Sequence, residues 1–440
     1  MNKKNISFHL ISILAIGVSA KCISLISRMI LTRFLGQEAI GIYSLVNPIL
    51  VLILTLSSFS LPTAVATLIS KGEGKAKTII YSAFTIVILL SLFLMFLLLL
   101  LSDLISNEIL FNSKTEACII ASLFIIPLTS ISAIIKGYFL GSNEIELASY
   151  SQVFEEAGRL LFILLCSYLF TNASVEAKAS FAVFALGVGE IFQISSMLFF
   201  CKRTYKSKLC AFIKTKNIPF QSNELIKISF PLTIAKLIGS LTYCLEPIIF
   251  THLMSNNSFS SSYIAIEYGI INSYVMPLLL IPSFISLSLS NYLLPNIGKC
   301  MKEKNYAKAR TILLKILIIS LTVGIIISCI FMFFGETILN IVYGEEIGLS
   351  YLRKITFFFI IYYIETPIIT ALSVCSLSSK SLFSTIVSSI IRIVSLIIFI
   401  PRFHVMGIAI STLLSIYVDV SLNFFFLNAF FKRNNVKLIF

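Results

Sequence analysis

Residues 78–101 read TIIYSAFTIVILLSLFLMFLLLLL, without one charged side chain. At 1.5 Å of rise per helical residue the run crosses the ~30 Å hydrocarbon layer of a bilayer. A soluble helix would break such a stretch with a polar face. Residues 311–334, TILLKILIISLTVGIIISCIFMFF, repeat the pattern with only Lys315 near the start. Across the chain 58% of residues are hydrophobic and 12% charged, against about 45–50% and 25% in globular domains. A soluble multidomain protein is excluded; the chain reads as a polytopic membrane protein.

Similar runs place spans at 6–31, 41–69, 78–101, 117–139, 148–170, 176–200, 225–250, 263–293, 311–334, 352–376, 382–402 and 405–431. The fold class expected is an all-α membrane protein of about twelve transmembrane helices. A basic stretch divides them, giving an N-terminal six-helix bundle over 1–200, a cytoplasmic linker over 201–224 and a C-terminal six-helix bundle over 225–440.

The net charge of +14 invites a nucleic-acid reading, which its placement rejects. Lys71, Lys75 and Lys77 follow the second span, Lys202 to Lys216 the sixth, and Lys299 to Arg310 the eighth. Acids instead occupy the intervening loops: Asp103, Glu108 and Glu116, then Glu336, Glu345 and Glu346. This alternation is the positive-inside pattern and puts both termini in the cytoplasm. The nine cysteines make no outer-loop pair, and the three histidines have no metal-ligand spacing. No disulfide, metal or cofactor is expected. Lys21 interrupts the first apolar run, so that run reads as a retained helix rather than a signal peptide.

The two halves look related. Ala20-Lys21-Cys22-Ile23 in the first span matches Ala235-Lys236-Leu237-Ile238 in the seventh. Prolines recur in the second and eighth spans (Pro48 and Pro62; Pro277, Pro282 and Pro295) and in the fourth and tenth (Pro127; Pro367). Ser151 to Arg159 aligns with Ser384 to Arg392. Six helices per half preserve orientation, so the repeat would be parallel, with a pseudo-two-fold axis along the membrane normal. Two bundles facing a central cavity is a transporter architecture.

Charges within lipid cost at least ~2.5–3.5 kcal/mol and persist where paired or facing a wet cavity. Gly17, Lys21, Ser24 and Arg28 share one helix face; so do Ser229, Thr233, Lys236, Ser240 and Tyr243, and also Ser384, Ser388, Arg392 and Ser395. Lys21, Arg28, Lys236, Arg159 and Arg392 are therefore candidates for binding an anionic head group such as a pyrophosphate. Against this stands close packing of the Ser, Thr and Gly positions. Arg159 also has Glu155 and Glu156 at i−4 and i−3, so an intrahelical pair is an equal reading. Glu190, Glu246, Glu267, Glu365 and Asp419 would serve either to bind a coupling proton or sodium ion or to pair with the cations. Lys71-Gly72-Glu73-Gly74-Lys75-Ala76 lacks the first glycine and the Ser or Thr of a phosphate loop. No hydrolase or metalloprotease motif is present, so no enzymatic activity is expected.

Ser27-Arg28, Phe34-Leu35-Gly36, Gly41-Ile42-Tyr43, Leu61-Pro62, Lys136 to Gly141, Gln152 to Glu156 with Arg159, Ile228 to Pro231, Leu245-Glu246-Pro247, Leu294-Pro295 and Val342-Tyr343-Gly344 follow one pattern along nearly the whole chain. It resembles the stage V sporulation protein B family, and through it the polysaccharide and lipid II flippases of the multidrug/oligosaccharidyl-lipid/polysaccharide exporter superfamily. The resemblance implies alternating access, an undecaprenyl-pyrophosphate-linked sugar as cargo, and a role in peptidoglycan or spore-cortex synthesis. The setting would be the cytoplasmic membrane or that of the forespore. Lys21 and Arg28 would contact the head group, with Glu155, Glu156 and Arg159 as the fifth-helix polar cluster. The second span, unlike that of lipid II flippases, carries no charge between Ile42 and Ile69. The alternatives are a cation-coupled multidrug exporter using Glu190 or Glu246, a membrane glycosyltransferase or polymerase, and a non-transporting scaffold of cell-wall synthesis.

Overall fold

The computed structural model describes residues 3–71, 76–142, 144–204 and 223–436. Among them the chain is helical throughout, with no strand. In the first half the helices are α1 Lys3–Ser58, α2 Leu61–Lys71, α3 Ala76–Leu104, α4 Thr115–Ser122, α5 Ile125–Gly141, α6 Ile145–Leu169 and α7 Val175–Thr204. They continue as α8 Asn223–Asn256, α9 Ser261–Gly269, α10 Met276–Leu280, α11 Ser283–Lys302, α12 Tyr306–Tyr343, α13 Leu349–Thr356, α14 Tyr362–Val374, α15 Ser378–Phe403 and α16 Val405–Arg433.

Nine helical stretches among the described residues are long and apolar enough to span a membrane, or ten if the bent pair α13–α14 is one span. One of the nine, Ser19–Ser70, takes in the second half of the first span read from the sequence and all of the second. Gly36 separates them, with φ 73° and ψ 177° inside α1, a left-handed conformation that side chains with a Cβ resist. α6 is set apart from the apolar helices by Glu155, Glu156 and Arg159. Counting α6 and splitting α1 recovers the expected pattern of about twelve passes.

The repeat is visible in where helices break. Phe59 and Ser60 take positive φ ahead of Pro62, and a π-helical turn at Ile270–Val275 precedes Pro277. The fourth span breaks between α4 and α5, ahead of Pro127; the tenth bends by 55° between α13 and α14, ahead of Pro367. Proline removes a backbone donor and crowds the preceding turn, which accounts for the interruptions next to Pro62, Pro127 and Pro277; Pro367 lies inside α14, beyond the bend.

Burial runs opposite to that of a soluble protein. On α3, Leu89, Phe93, Phe96 and Leu100 are exposed, while Ser82 and Ser91 are buried. On α12, Phe333 is 77% exposed, whereas Ser320, Gly324 and Ser328 face inward. Large apolar groups are solvated by acyl chains at no cost, and small residues let helices approach.

The contacts form two compact units, dividing between Cys244 and Leu245 inside α8. Of the basic segment 201–224 expected to separate the halves, 205–222 lie outside the described residues, as do Lys75 and Lys437. The first unit centres on Leu61, Val65 and Leu68 of α2, Ile79 and Ala83 of α3, Ile134 and Phe139 of α5, and Met197 of α7. The second centres on Leu293 and Ile297 of α11, Leu313 of α12, Ile368 and Leu372 of α14, and Leu427 of α16.

In the first unit Gly137 and Gly141 of α5 lie against α2. A Cβ on Gly137 would sit 2.5 Å from the carbonyl oxygen of Pro62. Gly137→Ala is expected to cost about 1–3 kcal/mol through this overlap, read as a lowered unfolding midpoint in detergent. An unchanged midpoint would show that α2 and α5 separate freely. Outside the spans, Lys114 Nζ donates to Glu38 Oε1 at 2.8 Å, and that bond holds its ammonium above its usual pKa.

Candidate functional site

The polar groups of the first unit gather where α1 meets α6. Three or four residues make one helical turn, so Arg159 reaches back to both acids that precede it. Its Nη2 donates to Glu155 Oε1 at 2.9 Å and its Nη1 to Glu156 Oε2 at 3.0 Å. Gln193 of α7 donates to the other Glu155 oxygen at 2.9 Å, and Ser132 of α5 donates in turn to Gln193. Glu156, 6% exposed, also feels Lys21 and Ser24 from α1. Tyr43 of α1 senses both Arg28 and Arg159. Lys21, Arg28 and Arg159 thus sit beside the carboxylates Glu155 and Glu156, with Glu190 of α7 acting on Glu155 and Arg159 as well. Lys21 is exposed and Arg28 half-buried.

Two further sequence candidates fall in this unit. Lys236 of α8 is exposed and makes no ion pair among the described residues. Glu190 of α7 acts on the same neighbourhood as Glu155, Ser132 and Thr129, and its Oε2 is buried without a hydrogen-bond donor.

The second unit holds a counterpart of the arginine network, built differently. Arg392 of α15 has no acid one turn earlier. It donates instead across helices to Glu246 of α8, and at 3.3 Å to Thr412 of α16. Glu246 is fully buried and accepts a second bond from the Tyr268 hydroxyl of α9 at 3.1 Å. Glu365 of α14 and Asp419 of α16 lie within electrostatic range of each other. Glu267 of α9 accepts from Tyr351 at 2.8 Å.

Residues 8–301 match the family described as polysaccharide biosynthesis protein. The chain belongs to that family. It is 25% identical over 409 residues to stage V sporulation protein B of Bacillus subtilis (strain 168), covering 91% of this chain and 79% of that one. It is 19% identical over 356 residues to sporulation protein YkvU of the same organism, covering 79% and 78%. Among solved structures it resembles an inward-facing multidrug resistance MATE family transporter of the MOP superfamily, with TM-score 0.76 at 13% identity over 97% of this chain and 98% of that one. It resembles equally the lipid II flippase MurJ in its inward closed conformation, with TM-score 0.73 at 15% identity over 96% and 90%. At these identities the likeness shows the fold alone, and this polysaccharide biosynthesis protein is a multi-pass membrane protein.

The five candidate cations of this family member separate into two kinds. Arg159 and Arg392 have guanidinium donors committed to carboxylates. Lys21, Arg28 and Lys236 lie on accessible faces of α1 and α8. The sequence reading omitted Gln193, Ser132, Tyr268, Thr412 and Asn423. Asn423 follows Asp419 by four residues and donates to it, so it was legible as a same-face partner, whereas Gln193 bonds Glu155 across helices. Tyr268 and Thr412 meet Glu246 and Arg392 only through tertiary packing.

Proposed function

We propose that this chain is an alternating-access flippase for an anionic, undecaprenyl-pyrophosphate-linked sugar, with Lys21, Arg28 and Lys236 contacting the pyrophosphate. The observation that carries the reading is the gathering of Lys21 and Arg28 beside the Arg159 cluster in a membrane-spanning member of a polysaccharide biosynthesis family. Ammonium and guanidinium donors gain strength against phosphate oxygens where water is scarce. The neighbouring carboxylates keep the site from being so cationic that cargo could not leave. The sugar end is then carried through protein while the polyprenyl tail stays in lipid. A peptidoglycan or spore-cortex precursor is the cargo that fits the sporulation relatives, and the cytoplasmic membrane or that of the forespore is the setting, with both termini cytoplasmic.

A multidrug exporter would need free anionic groups for organic cations. Both oxygens of Glu246 are already bonded, to Arg392 and Tyr268, which disfavours it in that role and leaves Glu190, whose Oε2 has no donor, as the acid that reading would use. Protein reconstituted in vesicles with a fluorescent polyprenyl-pyrophosphate sugar is expected to transfer label between leaflets. No transfer under any ion gradient, together with export of organic cations, would replace this reading with the exporter. In cells, deletion is expected to leave a lipid-linked saccharide accumulating in the cytoplasmic leaflet.

A further inference from the structure

At one end of the second unit, α11 closes at Lys302, α12 opens at Tyr306 and α16 closes at Arg433. The apolar runs 311–334 and 405–431 begin and end within a few residues of these points, so the helix ends lie at the level of the lipid head groups. Between them is a cavity of about 450 Å³ lined by Glu303, Lys304, Asn305, Tyr306, Asn434 and Val436. That volume is ample for a small polar group. The Tyr306 ring packs edge-on against Phe430, with centroids 6.2 Å apart, and joins the two sides.

Basic side chains crowd this hollow. Lys299, Lys304, Lys308, Lys432 and Arg433 are exposed and lie on the lining or within one helical turn of it along the chain. Among the described lining residues the carboxylate is Glu303, which Lys299 reaches at 3.9 Å. Helix starts ordinarily gather acids, because the amides of the first turn carry partial positive charge. The 38-residue α12 has no acid in its first turn and carries Lys308 there instead. Asn305 caps it by accepting from the Lys308 N–H at 3.1 Å. The amides of Tyr306 and of Ala307, which also lines the cavity, have no intrahelical acceptor. Helix dipole and side chains thus bring like charge together, and an anion in the hollow would relieve both.

A soluble anion would meet the same donors, but the cavity stands where two apolar runs enter the bilayer. Ile318 of α12 and Phe425 of α16 are exposed deeper along the same helices, at the depth of the acyl chains. We infer that the cavity binds the phosphodiester head group of an anionic phospholipid, such as phosphatidylglycerol, through Lys304, Lys308, Arg433 and the first amides of α12. The ligand is a lipid of the bilayer and not the cargo, so the site does not rest on the flippase reading. With both termini cytoplasmic, it comes from the inner leaflet.

Native mass spectrometry of the full-length protein in detergent, titrated with phosphatidylglycerol or phosphatidylcholine, counts bound lipids and gives their affinities. Wild type is expected to hold one phosphatidylglycerol at least about tenfold tighter than phosphatidylcholine. Each Lys or Arg near the surface contributes about fivefold, so Lys304→Gln with Arg433→Gln is expected to weaken binding about twenty-five-fold. Glu303→Gln is expected to tighten it about threefold, a gain that misfolding cannot produce. Lys77→Gln with Lys227→Gln removes the same charge from exposed positions of the first unit and is expected to change the affinity less than about twofold. Equal weakening by the two double variants would assign binding to net charge and overturn the site. Equal affinity for the two lipids, or no gain in Glu303→Gln, also overturns it. Displacement of bound phosphatidylglycerol by millimolar inorganic phosphate would give the cavity to a soluble anion and overturn the lipid.

Discussion

Arg392→Ala is expected to destabilise the protein by about 3–5 kcal/mol, because it leaves a buried carboxylate without its counter-charge. Glu246 is fully buried and, among the described residues, receives Arg392 and Tyr268; without the guanidinium, the tyrosine hydroxyl is left to stabilise the anion. The measurement is the unfolding midpoint in detergent together with the yield of monodisperse protein. The double variant Arg392→Met with Glu246→Gln is expected to recover most of the loss, since it removes the charge as well as its partner. Equal damage from single and double variants would show that shape, not charge pairing, holds α8 to α15. The mirror substitution Arg159→Ala should cost less. Of its two acids Glu155 is partly solvated, 16% exposed, and still bonded to Gln193.

Lys21→Ala and Arg28→Ala are each expected to reduce lipid flipping about ten- to a hundredfold, the equivalent of ~1.5–3 kcal/mol for a charge-assisted hydrogen bond. Membrane insertion and the unfolding midpoint should stay near wild type, because Lys21 is exposed. Lys21→Arg should keep most activity, as a second phosphate-binding cation. Flipping in reconstituted vesicles and the amount of lipid-linked precursor left in the inner leaflet read the effect. Full activity in both alanine variants would remove the head-group assignment. Lys236→Ala is expected to act in the same direction.

The spans were legible because a bilayer imposes a one-dimensional rule: a long enough run free of charge must cross it. The same rule made Arg159 legible, since its acids lie within one turn on its own helix. It failed for Arg392. That residue aligns with Arg159 in sequence, yet its acid comes from α8, and nothing along α15 announces it. At α1 the break was legible: Arg33, Gln37 and Glu38 interrupt the apolar run between 31 and 41, and Gly36 turns the backbone there.

By itself, then, the sequence determined that the chain is a helical membrane protein, where it crosses, and which charges sit at membrane depth. These follow from transfer free energies and helical periodicity, which are local. Only the tertiary structure decided which acids neutralise which cations: Glu246 with Arg392, Glu155 and Glu156 with Arg159, and Glu365 and Asp419 with neither. Such pairing depends on distances between helices remote in the chain, and Coulomb energies in a low-dielectric interior are set by those distances rather than by residue order.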